Sequence, residues 1–375
     1  RRKAERVEVA VITRVRGCLL AGALGDALGA AVEFDDLGAI RRRFGAEGIR
    51  APATAYGRRG AITDDTQMTL FTAEGVIRAI VRARTRGGVS SLPGVVLHAY
   101  HRWLSTQGQV PRHVREHWEG ASEGRWPDGW LVAESRLHDQ RAPGNTCLSA
   151  LAAPGWADRE GPAENDSKGC GGVMRVAPVG LVLELEPERC FELGCEVAAL
   201  THGHPSGILP AGVLAMTLRW MLDGEGLPAA LAAARRVLVR QPAHEETEGA
   251  LERAVALASA GGAPSPEAVE RLGGGWVGEE ALAIAVYCAL VEPGDVAAAL
   301  RLAVNHSGDS DSTGAICGNL LGAALGEEAL PAAWLAELEL RDVIARLADD
   351  LVAVQRAEAD MDGLSPAWWE AYPGW

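Results

Sequence analysis

Aromatic side chains are scarce in this 375-residue sequence: Phe, Trp and Tyr make up 5% of it, although 48% of its residues are apolar. A core built without aromatics must be filled by Ala, Leu and Val, which favours closely packed helices over an aromatic-rich β-sandwich. Strand-like alternation with hairpin turns is almost absent. CxxC pairs are absent too. The seven cysteines (Cys18, Cys147, Cys170, Cys190, Cys195, Cys288, Cys317) are odd in number and scattered, which excludes a zinc knuckle or redox pair and suggests reduced thiols in a cytoplasmic protein. No long basic block interrupts a formal charge of -14, which argues against nucleic acid as the main partner. The first apolar run, Gly17 to Val32, is broken by Asp26 and by glycines. It is too short and too polar for a membrane span, and the charged N-terminus lacks signal-peptide form. With no fixed-period repeat and no dividing linker, the sequence reads as one all-α domain over 1–375, its motifs lying within about 14–357, and as a monomer.

Helical periodicity is what the sequence does have. Apolar residues recur at spacings of three and four in Val15–Val32, Thr66–Ala83, Ser206–Leu222, Leu227–Val239 and Ala250–Leu257, and again in Glu279–Leu290, Val296–Val304, Ser312–Leu325 and Leu340–Val354. Glu186–Pro187 and Ser265–Pro266 read as helix starts. The stretch Ser105–Ser167 is the least regular, and a long irregular segment suggests a functional or partner-facing role. Two ladders of small residues repeat every four positions: Gly17, Ala21, Gly25, Gly29 and Gly314, Gly318, Gly322, Gly326. Each glycine inside a helix costs roughly 0.5–1 kcal/mol relative to alanine, so such stripes call for compensation by close packing. If they pack on each other antiparallel, Glu33 lands beside Asp309 and Asp311.

Oxygen ligands concentrate in two places. Thr63-Asp64-Asp65-Thr66 and Asp309-Ser310-Asp311-Ser312-Thr313 each precede a helical run. Ser, Thr and Asp are ordinary helix caps; two aspartates in each of two such turns suggest a metal site instead. Oxygen donors with no cysteine nearby in sequence select Mg2+ or Mn2+ over zinc, and four carboxylates suit two ions. The second stretch lacks the glycine and glutamate of an EF-hand loop. His98/His101 and His113/His117 have same-face helical spacing, but a pair supplies only two ligands.

Ser167-Lys168-Gly169-Cys170-Gly171-Gly172 precedes the helical-looking Val173–Val182. Glycines there let backbone N–H groups approach an anion, and a following helix would add its dipole. The spacing fits neither a Walker A loop nor GxGxxG. Glu33, at the end of the first apolar run, is a candidate general acid or base. His202 and His204, at the end of a helical run, read as either caps or ligand contacts.

As a set, Gly25-Asp26-Ala27-Leu28-Gly29 with Glu33-Phe34, then Thr63-Asp64-Asp65-Thr66-Gln67-Met68, Gly169-Cys170-Gly171-Gly172-Val173-Met174-Arg175, Thr201-His202 and Gly308-Asp309-Ser310-Asp311-Ser312-Thr313-Gly314 resemble the ADP-ribosylglycohydrolase family. The match runs from Gly17 to about Gly326. The resemblance implies a compact helical bundle, two Mg2+ (or Mn2+) ions held by Thr63, Asp64, Asp65, Asp309, Asp311 and Ser312, and Glu33 as the catalytic glutamate. It further implies a substrate-binding group of Ser167, Lys168, Gly169, Cys170, Gly171, Met174 and His202. The family loop often has Asn where this chain has Cys170. The implied reaction is hydrolysis at the anomeric carbon of ADP-ribose on a modified protein or small molecule, with arginine slightly favoured as the acceptor and ADP-ribose as the product. A catalytically silent ADP-ribose binder and a two-metal phosphohydrolase cutting the pyrophosphate are the alternatives.

Overall fold

The structure is a computed structural model and describes residues 2–85, 90–108, 110–122, 124–358 and 364–373, the side chains of 2–9 excepted. Helices dominate it. The sheet among the described residues is a two-stranded antiparallel ribbon, Thr54–Ala55 with Arg58–Arg59. Buried apolar residues form one continuous cluster from Val15 to Tyr372, and Ala, Leu and Val dominate it, as the aromatic-poor composition suggested. No helix among the described residues is long and apolar enough to cross a membrane.

Each run with helical periodicity lies on a helix, with ends set by local chemistry. Ser265 caps Pro266–Glu270 by accepting from the Ala268 amide at 3.2 Å, and Asp295 caps Val296–Val304 through Ala298 N at 2.9 Å. Helix Pro187–Ala199 begins on its proline. Helices in the irregular stretch escaped the periodicity reading: Arg112–Ala121 and Asn145–Ala152 both lie there. The first helix is Arg2–Gly29, so it stops short of Val32. After the last bond of that helix type, Ala30 N to Asp26 O at 2.8 Å, Val32 N turns back to Gly29 O at 2.8 Å. Glu33 therefore sits in a turn and not on a helix end.

The two ladders meet. The first helix and Ser310–Leu325 pack antiparallel, with Gly25 on Gly314, Ala21 on Gly318 and Gly17 on Gly322. A Cβ on Gly25 would stand 1.9 Å from Gly314 O, and one on Gly318 would stand 2.0 Å from Ala21 O. Only hydrogen fits, so backbone-to-backbone contact compensates for the helix propensity lost. Gly326 caps the helix at φ +81° and still takes part in the contact, since a Cβ on Gly17 would stand 2.6 Å from its carbonyl carbon. At the other end a Cβ on Gly29 would meet Ser310 and Asp311 backbone at 2.4 Å. The end of one helix thus abuts the start of the other, and the Glu33 turn folds over the Asp309–Asp311 segment.

Candidate active site

Asp26 organises the floor of the site. It is fully buried on the first helix, in the register that faces the start of helix Asp64–Thr85. Thr63 N donates to both its carboxylate oxygens at 3.1 and 3.0 Å, Thr63 Oγ1 donates to Oδ1 at 2.8 Å, and Thr66 N donates to Oδ2 at 3.1 Å. The Thr66 hydroxyl makes a further short bond to Oδ2. A residue from another helix thus supplies the cap for this one. The burial pushes Asp26 up to about 6, and the threonine bonds oppose it. Its signal in the sequence was a lone acid inside an apolar run, and periodicity gave it no role.

Fixed in that way, Asp64 and Asp65 enter the first helical turn and meet Asp311. Asp64, Asp65 and Asp311 offer ligand atoms within 4.8 Å of one another, and so do Glu33, Asp309 and Asp311. Asp309 caps its own helix by accepting from Ser312 N at 3.3 Å, while Ser312 Oγ donates to Asp65 Oδ1 at 2.8 Å. Thr63 is fully buried, its hydroxyl donating to Asp26 and accepting from Asp65 N at 3.2 Å.

Five buried carboxylates share this spot. Burial first, then the neighbouring acids, hold Asp64, Asp65 and Asp311 well above the usual carboxylate range. Burial, Asp309 and Asp26 push Glu33 up to about 8. Glu33 Oε2 is buried without a partner. Neither lysine nor arginine lines the cavity they share, among the described residues. Such a cluster ionises fully only when cations enter, and its donors fit hard divalent ions. One soft atom intrudes: Cys170 Sγ donates to Asp309 Oδ2 at 2.9 Å and lies 3.5 Å from Ser312 Oγ. No sequence signal marked it, since Cys170 stands far from either acidic motif along the chain.

The cavity has a volume of about 390 Å3. Its walls include Gly169, Cys170, Gly171, Met174 and His202, the segment Ala142–Cys147, and the rim aromatics Phe34 and Trp276. Phe34 and Trp276 stack with centroids 6.1 Å apart. The segment Ala142–Cys147 belongs to the irregular stretch that suggested a functional role, although no motif singled out its residues; Gly144 N donates to Asp64 Oδ2 at 3.3 Å.

The glycine loop differs from the sequence expectation in three ways. Only a one-turn 3-10 segment, Cys170–Gly172, and a four-residue helix, Ala177–Gly180, follow it, because Pro178 and the packing of Gly172 and Gly180 on other backbones break the Val173–Val182 run. No long helix dipole points at an anion there. Gly169 N donates to Ser167 Oγ and Cys170 N to Trp276 O, both at 3.2 Å, so those two amides are already bonded, and Gly171 lines the cavity. Lys168 turns away, its Nζ 2.7 Å from Glu246 Oε1, and Ser167 pairs with Thr146 Oγ at 2.9 Å behind the wall. His204 is a cap, accepting from Ser206 N at 3.0 Å. His98 and His101 are buried against Trp118.

Comparison with known proteins gives matches along almost the whole chain. The profile of the ADP-ribosylglycohydrolase family matches residues 8–360. The chain is similar to the ADP-ribosyl-[dinitrogen reductase] glycohydrolase of Rhodospirillum rubrum, at 24% identity over 91% of this chain and 96% of that one. It is also similar to the ADP-ribosylarginine hydrolase Tri1 of Serratia proteamaculans, at 25% identity over 91% of this chain and 79% of that protein. A solved ADP-ribosylglycohydrolase-related protein complex superposes with a TM-score of 0.61 at 28% identity, covering 92% of this chain and 99% of that one.

Proposed function

We infer the reaction from one premise: the chain belongs to the ADP-ribosylglycohydrolase family, hydrolases that act on glycosidic bonds. The substrate is an ADP-ribosylated acceptor, the bond cut is the one at the anomeric carbon, and the product is ADP-ribose. Arginine is the acceptor favoured here, on the strength of the relative named as an ADP-ribosylarginine hydrolase. One observation carries the reading: five carboxylates and the Gly169–Gly171 loop share a single cavity.

Asp64, Asp65 and Asp311 would hold one divalent cation and Glu33, Asp309 and Asp311 a second, with the Thr63 and Ser312 hydroxyls beside them. Bound there, two Mg2+ or Mn2+ ions would supply Lewis acidity toward the ribose hydroxyls and a water. Gly171 N and His202 bind the diphosphate and so orient the distal ribose toward the acids. The surrounding carboxylates favour the positive charge that develops at the anomeric carbon as the bond breaks. Glu33, at 7% exposure the most accessible of the five, exchanges the proton between water and leaving group. The chain acts as one domain, which the continuous core supports, and seven unpaired cysteines suit a reducing compartment such as the cytoplasm.

The test is to incubate the full chain and Mg2+ with arginine-, serine- and ester-linked ADP-ribose and separate the products by chromatography. Intact ADP-ribose, released fastest from the arginine linkage, is expected. AMP would mean a phosphohydrolase, and binding without any product would mean a silent reader.

A further inference from the structure

With no long helix behind the glycine loop, another source of positive potential lies beneath it. Arg175 is fully buried, and among the described residues it forms no ion pair. Its guanidinium donates to Cys147 Sγ at 3.1 Å, to Val197 O at 3.3 Å and to Thr201 Oγ1 at 2.7 Å, and it lies over the Tyr100 ring, 4.4 Å from the centroid. A buried cation without a counter-ion is unfavourable unless something else supplies the negative charge. Its partner Cys147 lines the cavity, where a Cβ on Gly171 of the candidate diphosphate cradle would stand 2.9 Å from Cys147 Sγ.

Thr201 joins that cation to the cradle. Its hydroxyl accepts from Arg175 and lies 2.8 Å from His202 Nδ1. A guanidinium only donates, so the direction of the next bond depends on where the single hydroxyl proton goes. Of the other acceptors near it, Cys147 Sγ already accepts from Arg175 at 3.1 Å, and Ala198 O is 3.5 Å away and already accepts from Thr201 N and His202 N, each at 3.1 Å. Both its lone pairs are taken. The 2.8 Å bond to His202 Nδ1 is the shorter outlet for that proton, and taking it leaves Nδ1 as the bare nitrogen of the ring with the ring's own proton on Nε2. Burial, and next to it Arg175, push the imidazole down to about 3, so the ring is neutral and holds that one proton. Nε2 has no partner within the protein, His202 is 1% exposed, and it lines the cavity. A Cβ on Gly169 would lie 3.3 Å from Nε2 and one on Gly171 3.4 Å from it, so this edge of the ring runs along the loop.

We propose that Arg175 and Thr201 are positioning residues that hold His202 as an Nε2–H donor to the substrate diphosphate, with Arg175 as the anion's buried counter-charge. The proposal rests on reading the Gly169–Gly171 wall as the diphosphate site. It predicts an order of donors, arginine to threonine to histidine to phosphate oxygen, in which no group changes protonation state.

The experiment uses the full chain labelled with 15N-histidine, and ADP as the probe, which carries a diphosphate but no distal ribose. Two-bond 1H–15N spectra of the wild type should show His202 protonated on Nε2 alone. Thr201→Val keeps the shape, removes the hydroxyl, and should mix the two tautomers and raise the Kd for ADP about tenfold. Thr201→Ser should restore a single tautomer and bring the Kd back to within about twofold. A wild-type His202 protonated on Nδ1 would overturn the proposal even if the valine variant failed to fold. An unchanged Kd in Thr201→Val would overturn it as well. Neither measurement involves turnover, so a chain that passes both and releases no ADP-ribose would contradict the hydrolase reading and leave this one standing.

Discussion

Helix Asp64–Thr85 buries acids in two regions, and they are built on opposite principles. At its start Asp64 and Asp65 face Glu33, Asp309 and Asp311, with no arginine or lysine on the cavity wall. Ten residues on, Glu74 is fully buried between two arginines. Arg78 donates to its Oε1 at 2.9 Å, and Arg102 donates to its Oε2 at 3.1 and 2.9 Å. Asp128 takes a second bond from Arg78 at 3.2 Å. Two acids and two bases cancel in charge in that network, although Arg78 Nε and Arg102 Nη1 find no hydrogen-bond partner among the described residues. The first region has the same burial and no compensation, so its missing positive charge must come from outside the chain. Burial alone therefore does not mark a functional acid; the absence of a partner cation does.

The largest expected effect follows from that difference. EDTA should abolish turnover, and Mg2+ or Mn2+ should restore it. Asp311→Asn, which touches both ligand groups, should weaken metal binding strongly yet leave the ion-free fold at least as stable, because it removes a repulsive charge. Full turnover in metal-free buffer would erase the contrast.

Glu74→Gln should behave in the reverse way. It leaves two buried guanidinium groups short of a carboxylate and should cost about 3–5 kcal/mol in denaturant unfolding. Metal affinity per folded molecule should be unchanged. A loss of metal binding with stability intact would mean that the network serves the site directly.

The packing beneath the site gives the next effect. Gly25→Leu or Gly318→Leu should overpack the ladder contact and cost about 1–3 kcal/mol, with turnover falling because Glu33 and Asp311 are held together by that contact. Thermal unfolding of each variant beside its activity checks this. Wild-type stability in both would mean that the helices can separate without harm.

The smallest effect is a slope. Glu33 sits at about 8 in the folded chain against an ordinary 4.5, so between those values the native state binds the extra proton. Ion-free protein should therefore lose stability as pH rises through that window, by about 1.4 kcal/mol per pH unit for one such group. Saturating Mg2+, which favours the ionised acids, should flatten the slope. Stability rising with pH in EDTA would contradict the assigned electrostatics.

Much of this was legible before the fold. The helices at Val296–Val304 and Leu227–Leu238 follow from apolar spacing because each buries one face. The pairing of the ladders followed from the cost of glycine in a helix, and it alone predicted that Glu33 and Asp309 would meet. The aspartate pairs stood out because two acids in a helix start exceed what capping requires. Helix Arg112–Ala121 was missed because its charged residues and histidines leave little beyond Val114 and Trp118 to carry an apolar period, and Asn145–Ala152 because eight residues span barely two turns.

By itself, the sequence determined the helical class, the ladder contact and the acidic motifs, since each depends on residues adjacent in the chain or repeated at a fixed period. Tertiary structure alone decided the rest. It made Asp26 the cap of a distant helix, put Cys170 against Asp309, turned Lys168 away to Glu246, and linked Arg175 through Thr201 to His202. Those outcomes depend on the direction of a hydrogen bond or on a few ångströms between segments far apart in the chain. Local propensity carries no information about either, because the partner that fixes each side chain arrives only when the helices pack.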